Sequence, residues 1–383
     1  MHMFYLIFAS MKRAIVSVIN DLSTDQRVHK VCATLTGMGY EVLLVGRRQR
    51  KSLPLAERLY KTKRMFLLFE KGPLFYAEFQ KRLFWCLLFR RADVFVANDL
   101  DTLWPNYIVS KLKGSKLVYD THELFCEVPE LQGSRLKKGI WKSLEKRIFP
   151  KLKYVFTVND SIAKIYSEEY KVDVKVVRNI PLLSRQKNVK ELSKTELALP
   201  SDKKIIVLQG AGINIDRGAE EAVEAMKYIE NAILLIVGSG DVIDVLKQMV
   251  KDGKLEEKIR FTGKVPFETL IQYTRCADLG LTLDKDTNIN YRYSLPNKLF
   301  DYIHAGVPVL ASNLVEISKI IREYHIGALI ENHDPKHIAD KINGILNNEA
   351  LLMDWKKNCK IAAEKLNWEN EEKVLKSVYR EFL

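Results

Sequence analysis

Two basic side chains stand where helices begin, and they are the first residues in this sequence that suggest chemistry. In YSLPNKLFDYIHAGVPV (293–309) a helix starts just after Pro296 and stops at Gly306, with the strand-like run VPVLA behind it. Lys298 falls in its first turn. Partial positive charge gathers at a helix N-terminus, so a lysine there costs about 0.3–1 kcal/mol unless it turns into water or meets an anion. Arg217, in QGAGINIDRGAEEAVEAM, repeats the anomaly, because it too lies where the loop after a strand turns into a helix. Either one alone reads as a solvated surface side chain. Two of them, at strand-to-helix turns on the same edge of a sheet, predict a shared phosphate site.

Other residues gather around that expectation. Asp301 lies three positions after Lys298 and so on the same helix face, placed either to accept from a ribose diol or to pair with the lysine. The turns GSGD (238–241) and TGK (262–264) follow strands and let backbone approach a ligand closely, although neither is a GxGxxG fingerprint. Earlier in the chain, His122 in DTHE ends a strand, and Asp99, Asp120 and Glu123 line the same edge. A lone histidine there is either structural or catalytic. In NDLSTDQ, one of Ser23, Thr24 and Asp25 is expected to cap the first helix. The triplets DLD (99–101) and DKD (284–286) are short, and cations already stand where a metal would neutralise phosphate, so no metal cofactor is expected.

The elements that must position these groups alternate regularly. RAIVSVI, YEVLLVG, DVFVAND, KLVYDTHE and YVFTVND are short β-rich runs, and helical spacing recurs between them, as at Val28, Val31, Leu35 and Met38. After the polar stretch 181–200 the alternation restarts with KIIVLQGAG, ILLIVGSGD, IRFTG, ADLGLTL, VPVLAS and ALI. Two successive βαβ series imply an α/β protein of two doubly wound, Rossmann-like domains facing a cleft, with ligands at the carboxyl ends of the strands. The expected boundaries are 1–180, a linker at 181–200, 201–365, and a closing helix at 366–383 that crosses back to the first domain. Trp368, Val374 and Tyr379 are its expected apolar anchors.

Charge is distributed unevenly. The chain of 383 residues carries a net +13, yet residues 1–180 hold 32 Lys+Arg against 18 Asp+Glu while the remainder holds 29 against 30. The whole excess therefore sits in the first half and favours an anionic partner there. In RLYKTKRMFLLFEKGPLFYAEFQKRLFWCLLFRR (58–91) aromatic and aliphatic residues interleave with Lys and Arg, as in helices that lie in a membrane interface. An ordinary helix with a basic outer face has a similar composition; the charge asymmetry favours the membrane surface. No apolar run approaches the roughly 20 residues of a membrane span. The five cysteines are scattered and never spaced as CxxC, which argues against a disulfide framework and against zinc. In MHMFYLIFASMKR the basic residues follow the apolar stretch, so no signal cleavage is expected, and the stretch reads as a short extension or as residues upstream of a start at Met11.

The donor-side segments LPNKLFDYIHAGVPV, QGAGINIDRG and LLIVGSGD resemble those of the retaining group 1 (family 4) glycosyltransferases with the GT-B fold. INDLSTDQRVHK, KGPLFYAEFQKRLF, VANDLDTLWP and VYDTHELFCEVPEL resemble the N-terminal domain of one bacterial branch, so the likeness runs in order through residues 12–383. The resemblance implies that a nucleotide-sugar binds the C-terminal domain. Arg217 and Lys298 would hold the pyrophosphate, with backbone of the Ser294, Leu295 and Asn297 turn. Asp301 would meet the ribose, backbone near Gly263 the base, and Gly210, Gly212 and Gly238 the donor at close range. His122 would orient the sugar and stabilise charge; Asp99, Asp120 and Glu123, on the same edge, are placed to contact the acceptor or loop backbone. Two positions depart from the family pattern: its paired glutamates fall on Tyr293 and Asp301, and an arginine common after the first glycine is Ala211.

The expected activity is hexosyl transfer with retention, from a nucleotide-diphosphate sugar to a saccharide or polyprenyl-linked acceptor, in cell-surface polysaccharide synthesis. The donor is a substrate, and no cofactor is expected. The expected location is the cytoplasm, including the inner face of the plasma membrane, with an anionic membrane surface as a further partner and nucleic acid not among the partners. Two alternatives are a non-hydrolysing sugar-nucleotide epimerase, which shares the architecture, and a basic nucleic-acid-binding protein, which the charge allows but no module supports.

Overall fold

A computed structural model describes residues 11–383 apart from 24, 51, 53 and 184–190. The expectations for the first ten residues, for Thr24 as a cap and for the middle of the 181–200 connection lie outside the described residues. The chain divides into two compact units. The first comprises the described residues up to Arg178 together with Glu372–Leu383, and the second is Asn179–Glu371.

Seven strands form the first unit's sheet: β1 (Arg13–Asp21), β2 (Glu41–Arg48), β3 (Lys61–Phe66), β4 (Val94–Asn98), β5 (Lys116–Thr121), β6 (Tyr154–Thr157) and β7 (Val174–Val176). All pair in parallel, in the order β3-β2-β1-β4-β5-β6-β7. The second sheet holds β8 (Lys204–Gly210), β9 (Ala232–Gly238), β10 (Ile259–Gly263), β11 (Leu279–Thr282), β12 (Val309–Ser312) and β13 (Gly327–Ile330), in the order β10-β9-β8-β11-β12-β13. Helices cover both faces of a parallel sheet, which is why its central strands read as unbroken apolar runs. Ile205–Leu208 and Ala232–Val237 are buried throughout. In each sheet the order of connection reverses once, between β1 and β4 and between β8 and β11. A crevice opens outside the strand ends at such a reversal; Asp99 follows β4, Arg217 follows β8 and Lys298 follows β11, whereas His122 and Glu123 follow the neighbouring β5, and Gly238 and Gly263 end β9 and β10.

The structure differs from the sequence reading in three places. The basic aromatic region 58–91 is not one helical stretch: β3 occupies Lys61–Phe66 and the helix begins only at Gly72. That strand lies at the sheet edge and leaves Lys61, Thr62 and Lys63 exposed, so it lacks the apolar alternation by which a strand is recognised. The second unit begins at Asn179, ahead of the expected linker, and Leu199 packs in the second unit's core. In the last helix, Trp368–Tyr379, Val374 is exposed; Leu375 and Val378 are buried in its place.

One packing contact sets the position of the helix carrying Lys298. The Tyr302 ring lies over Gly280 of β11 so closely that a Cβ there would stand 2.5 Å from it. The tyrosine hydroxyl lies 3.2 Å from the carbonyl of Leu281 and 3.3 Å from that of Val207, and the Gln209 N–H donates to it at 3.3 Å. Replacement Gly280→Ala is therefore expected to cost about 1–3 kcal/mol, as overpacking does. A lowered urea midpoint checks this, and an unchanged midpoint would show that the contact gives way freely.

Candidate functional site

In the second unit the two anomalous cations converge on one carboxylate. Asp284, two residues beyond β11, is fully buried. Its Oδ1 accepts from Arg217 Nη1 at 2.9 Å, its Oδ2 lies 3.9 Å from Lys298 Nζ, and Thr282 Oγ1 donates to Oδ2 at 3.2 Å. Burial pushes the Asp284 carboxyl up, but the charges of Lys298 and Arg217 outweigh it and hold the group below the usual carboxylate range. Lys298 is displaced the other way: burial lowers its pKa, and the charge of Arg217 adds to that effect against the pull of Asp284. Two cations share one anion, and the surplus positive charge has no carboxylate of its own among the contacts described.

The surroundings of the pair are open to a ligand at one side. Lys298 and Arg217 keep 14% and 27% of their side-chain surface exposed. Arg217 lies over the Tyr291 ring, 4.1 Å from its centroid. Pro296 supplies the N-cap of the helix Asn297–Ala305, which has no side-chain cap and no acidic residue in its first turn. Its first N–H groups are thus left to water or to an anion. Beside it, the buried Ser294 hydroxyl has no hydrogen-bond partner. Leu295 packs against the apolar core, and Asn297 Oδ1 accepts from Asn179 at 3.0 Å.

Asp301 faces inward along the same helix, where its Oδ2 accepts from Gln209 Nε2 at 3.2 Å. Gln209 is buried, and Thr274 Oγ1 donates to its Oε1 at 2.7 Å, which fixes the orientation of the amide. The glycine turns are formed as expected. Gly238 has φ 135°, and a Cβ on it would sit 1.8 Å from the Gly210 carbonyl oxygen, so this close crossing of β8 and β9 admits no side chain. The Gly210 carbonyl accepts from Ser239 N–H at 3.1 Å. Gly212 and Gly263 are exposed.

The first unit holds a separate constellation at its own strand ends. Asp99 follows β4 with φ 59° and ψ 168°, a backbone conformation that costs a non-glycine residue of order 1–3 kcal/mol. Its Oδ1 accepts from the His122 N–H at 2.8 Å, and its Oδ2 lies 3.1 Å from His122 Nδ1. Asp120 Oδ2 lies 3.6 Å from His122 Nε2. Burial would lower the histidine's pKa, but the two carboxylates outweigh it and raise the imidazole well above its ordinary value. The two carboxylates therefore favour the protonated form of His122. Asp120 differs from its expected role as an acceptor contact. It is buried and both of its oxygens accept from Arg27, at 2.6 and 3.0 Å, so it braces the histidine. Arg27 also donates to the Val177 carbonyl at 2.6 Å. The Glu123 carbonyl accepts from Thr121 and Tyr166. Asp25 caps the first helix by accepting from Val28 N–H.

Asp284, Gln209, Tyr291 and Arg27 were not singled out in the sequence. Asp284 sat inside the DKD triplet weighed for metal, which was the available signal; the others carry no local pattern. Among the described residues, no group of three or more His, Cys, Asp or Glu is placed to hold a metal ion, and no helix is long and apolar enough to cross a membrane.

Comparison with known proteins sets this geometry in a family. The description "Glycosyl transferases group 1" matches residues 189–361, and "Glycosyltransferase Family 4" matches residues 25–181. An uncharacterized glycosyltransferase of Methanocaldococcus jannaschii is 23% identical over 71% of this chain and 70% of its own length. The lipopolysaccharide core biosynthesis glycosyltransferase LpsD of Rhizobium meliloti is 28% identical over 50% of this chain, which spans about half (52%) of that relative. Among solved structures, Anabaena HepE in complex with UDP superposes with a TM-score of 0.70, at 13% identity, over 97% of this chain and 100% of that one.

The charge state of His122 gives a pH-dependent expectation. A raised folded pKa contributes stability that is fully present below the unfolded histidine value and disappears as pH rises through the folded value. Replacement His122→Gln should therefore lower the urea midpoint at about pH 6, with the deficit narrowing towards about pH 10. Equal deficits at both ends would show that no imidazolium pairs with Asp99 and Asp120.

Proposed function

We propose, from the premise that the chain belongs to the group 1 glycosyltransferases, that it moves a sugar from a nucleoside-diphosphate donor to a hydroxyl of a saccharide or lipid-linked saccharide. One observation carries the donor assignment: Arg217 and Lys298 share the single buried carboxylate of Asp284 beside an uncapped helix N-terminus. A diphosphate supplies the missing negative charge and accepts from the free N–H groups at once.

In this reading the second unit binds the donor. Arg217, Lys298 and the first turn of the Lys298 helix meet the diphosphate, with the Ser294 hydroxyl as a further donor. Asp301, oriented by Gln209, accepts from the ribose, and backbone at Gly263 lies against the base; Gly210, Gly212 and Gly238 keep side chains out of the way. Negative charge grows on the departing diphosphate as the bond between the sugar's anomeric carbon and the phosphate oxygen breaks, so fixed cations there lower the barrier. The acceptor oxygen bonds to the same carbon from the face the diphosphate leaves, which gives retention, and its proton passes to a donor phosphate oxygen. No protein base is needed, in keeping with a cationic His122 whose role is to stabilise charge at the transferred sugar. Asp99 and Glu123 are assigned to acceptor hydroxyls, and Asp120 to bracing the histidine.

The complex of HepE with UDP supports a uridine nucleotide as the first donor to test, and the role of LpsD in lipopolysaccharide core synthesis supports a cell-surface saccharide as product. The family matches favour transfer over the epimerase and nucleic-acid readings.

Thermal shift with UDP, GDP and ADP tests the site. One of them is expected to stabilise the protein, and Lys298→Ala to weaken that binding about 10- to 100-fold, the worth of a charge-assisted contact of roughly 1.5–3 kcal/mol. No shift with any of the three, or an equal shift in the variant, overturns the assignment. Activity is expected to persist in EDTA; recovery only on adding a divalent metal would reject metal-independent transfer.

A further inference from the structure

The first unit carries a surface that the donor chemistry does not use. The helix Gly72–Leu88 buries Phe75, Phe79, Leu83 and Leu87 against the sheet, yet its outward side is apolar as well. Leu74, Lys81, Trp85 and Phe89 follow at helical spacing and are exposed, Trp85 by 47% and Phe89 by 79%. The Trp85 and Phe89 rings stack on each other in the open, with centroids 5.7 Å apart. Phe84 reaches Trp104 at 6.0 Å and so extends the patch onto the helix Leu100–Lys113, where Leu112 is exposed too. Single exposed apolar residues are ordinary, but a contiguous aromatic patch on a helix already anchored by its other side marks a contact surface.

The cations around it say what it touches. Lys71, Lys81, Arg82, Arg91, Lys111 and Lys113 are exposed along the same two helices and their ends. Glu78, on the same helix, is held by Arg82 at 2.7 Å and by the amide groups of Leu68 and Phe69. Aromatic rings flanked by Lys and Arg suit the interface of an anionic bilayer, where the rings sit among headgroups and the cations meet phosphate. The +14 net charge of residues 1–180, from 32 Lys+Arg against 18 Asp+Glu, adds long-range attraction of the same sign.

We propose that the outward side of Gly72–Leu88, continued by Trp104 and Leu112, docks this protein on an anionic membrane surface. The inference goes beyond the donor assignment and stands on the first unit alone, so its failure would leave the reading of Arg217 and Lys298 untouched. Docking there lets a sugar acceptor that is itself anchored in lipid be reached without leaving the bilayer surface.

Co-sedimentation with phosphatidylcholine vesicles, with and without phosphatidylglycerol, tests it on the full chain. Binding should require the anionic lipid and weaken about tenfold or more between low and high salt. The double variant Trp85→Ala/Phe89→Ala should bind about tenfold or more weakly while keeping the nucleotide thermal shift of the wild type. Brominated lipid should quench wild-type tryptophan fluorescence, a reading that needs no variant. Salt-insensitive binding to neutral vesicles, absence of quenching, or undiminished binding by a folded double variant overturns the proposal. A dimer abolished by the double variant, with no vesicle binding, overturns it in favour of a second copy. Binding lost when the chain starts at Met11 but kept in the double variant overturns it in favour of residues 1–10.

Discussion

The second unit is organised around a charge it does not itself balance. Asp284 is buried at the end of β11, and a buried carboxylate persists only when paired and hydrogen-bonded. Arg217, reaching across from the end of β8, supplies the pair, and Thr282 the hydrogen bond. Lys298 comes as a second cation, 3.9 Å away, and this is what leaves the cluster electropositive. The two strands that deliver these groups flank the reversal in sheet order, so the topology of the sheet brings the cluster together. Tyr302, wedged over Gly280 and hydrogen-bonded to three backbone groups, holds the helix that carries Lys298 and Asp301 against that same pair of strands.

The first unit solves a related problem with opposite sign. Three carboxylates, Asp99, Asp120 and Glu123, come to its strand ends, and one histidine and one arginine compensate two of them. The chain from Arg27 through Asp120 to His122 and Asp99 runs through buried or half-buried groups, so each member depends on its neighbours. The same carboxylates that keep His122 charged also fix its ring in place. A side chain held this way is favoured as the cation.

Much of this was legible in the sequence, for identifiable reasons. Parallel strands buried on both faces are written as apolar runs, and eleven of the thirteen strands coincide with the β-rich runs named in the sequence. The missing two, β3 and β7, are the edge strands of the first sheet; β3 exposes its lysines and β7 is only three residues long, so no periodicity betrays them. Arg217, Lys298 and Asp301 were visible because charges at helix ends and at three-residue spacing follow from local rules. Asp284 was visible as a letter but not as a partner, since its pairing joins residues 67 positions apart. Gln209 and Arg27 act through contacts 92 and 93 residues distant, and nothing in their immediate neighbours announces them. Likewise Asp120 reads in the sequence as a contact to acceptor or loop backbone, and only the structure places Arg27 on both of its oxygens.

The backbone of Asp99 has an evolutionary consequence. Its left-handed φ is a conformation glycine adopts freely, whereas aspartate must be forced into it. A glycine there would relieve the backbone strain, but it would remove the carboxylate that grips His122 at two points, and with it the stability that pairing contributes. Backbone ease and the histidine's charge therefore pull this position in opposite directions. A related chain with glycine at this position would be expected to carry a histidine no longer held by two carboxylates.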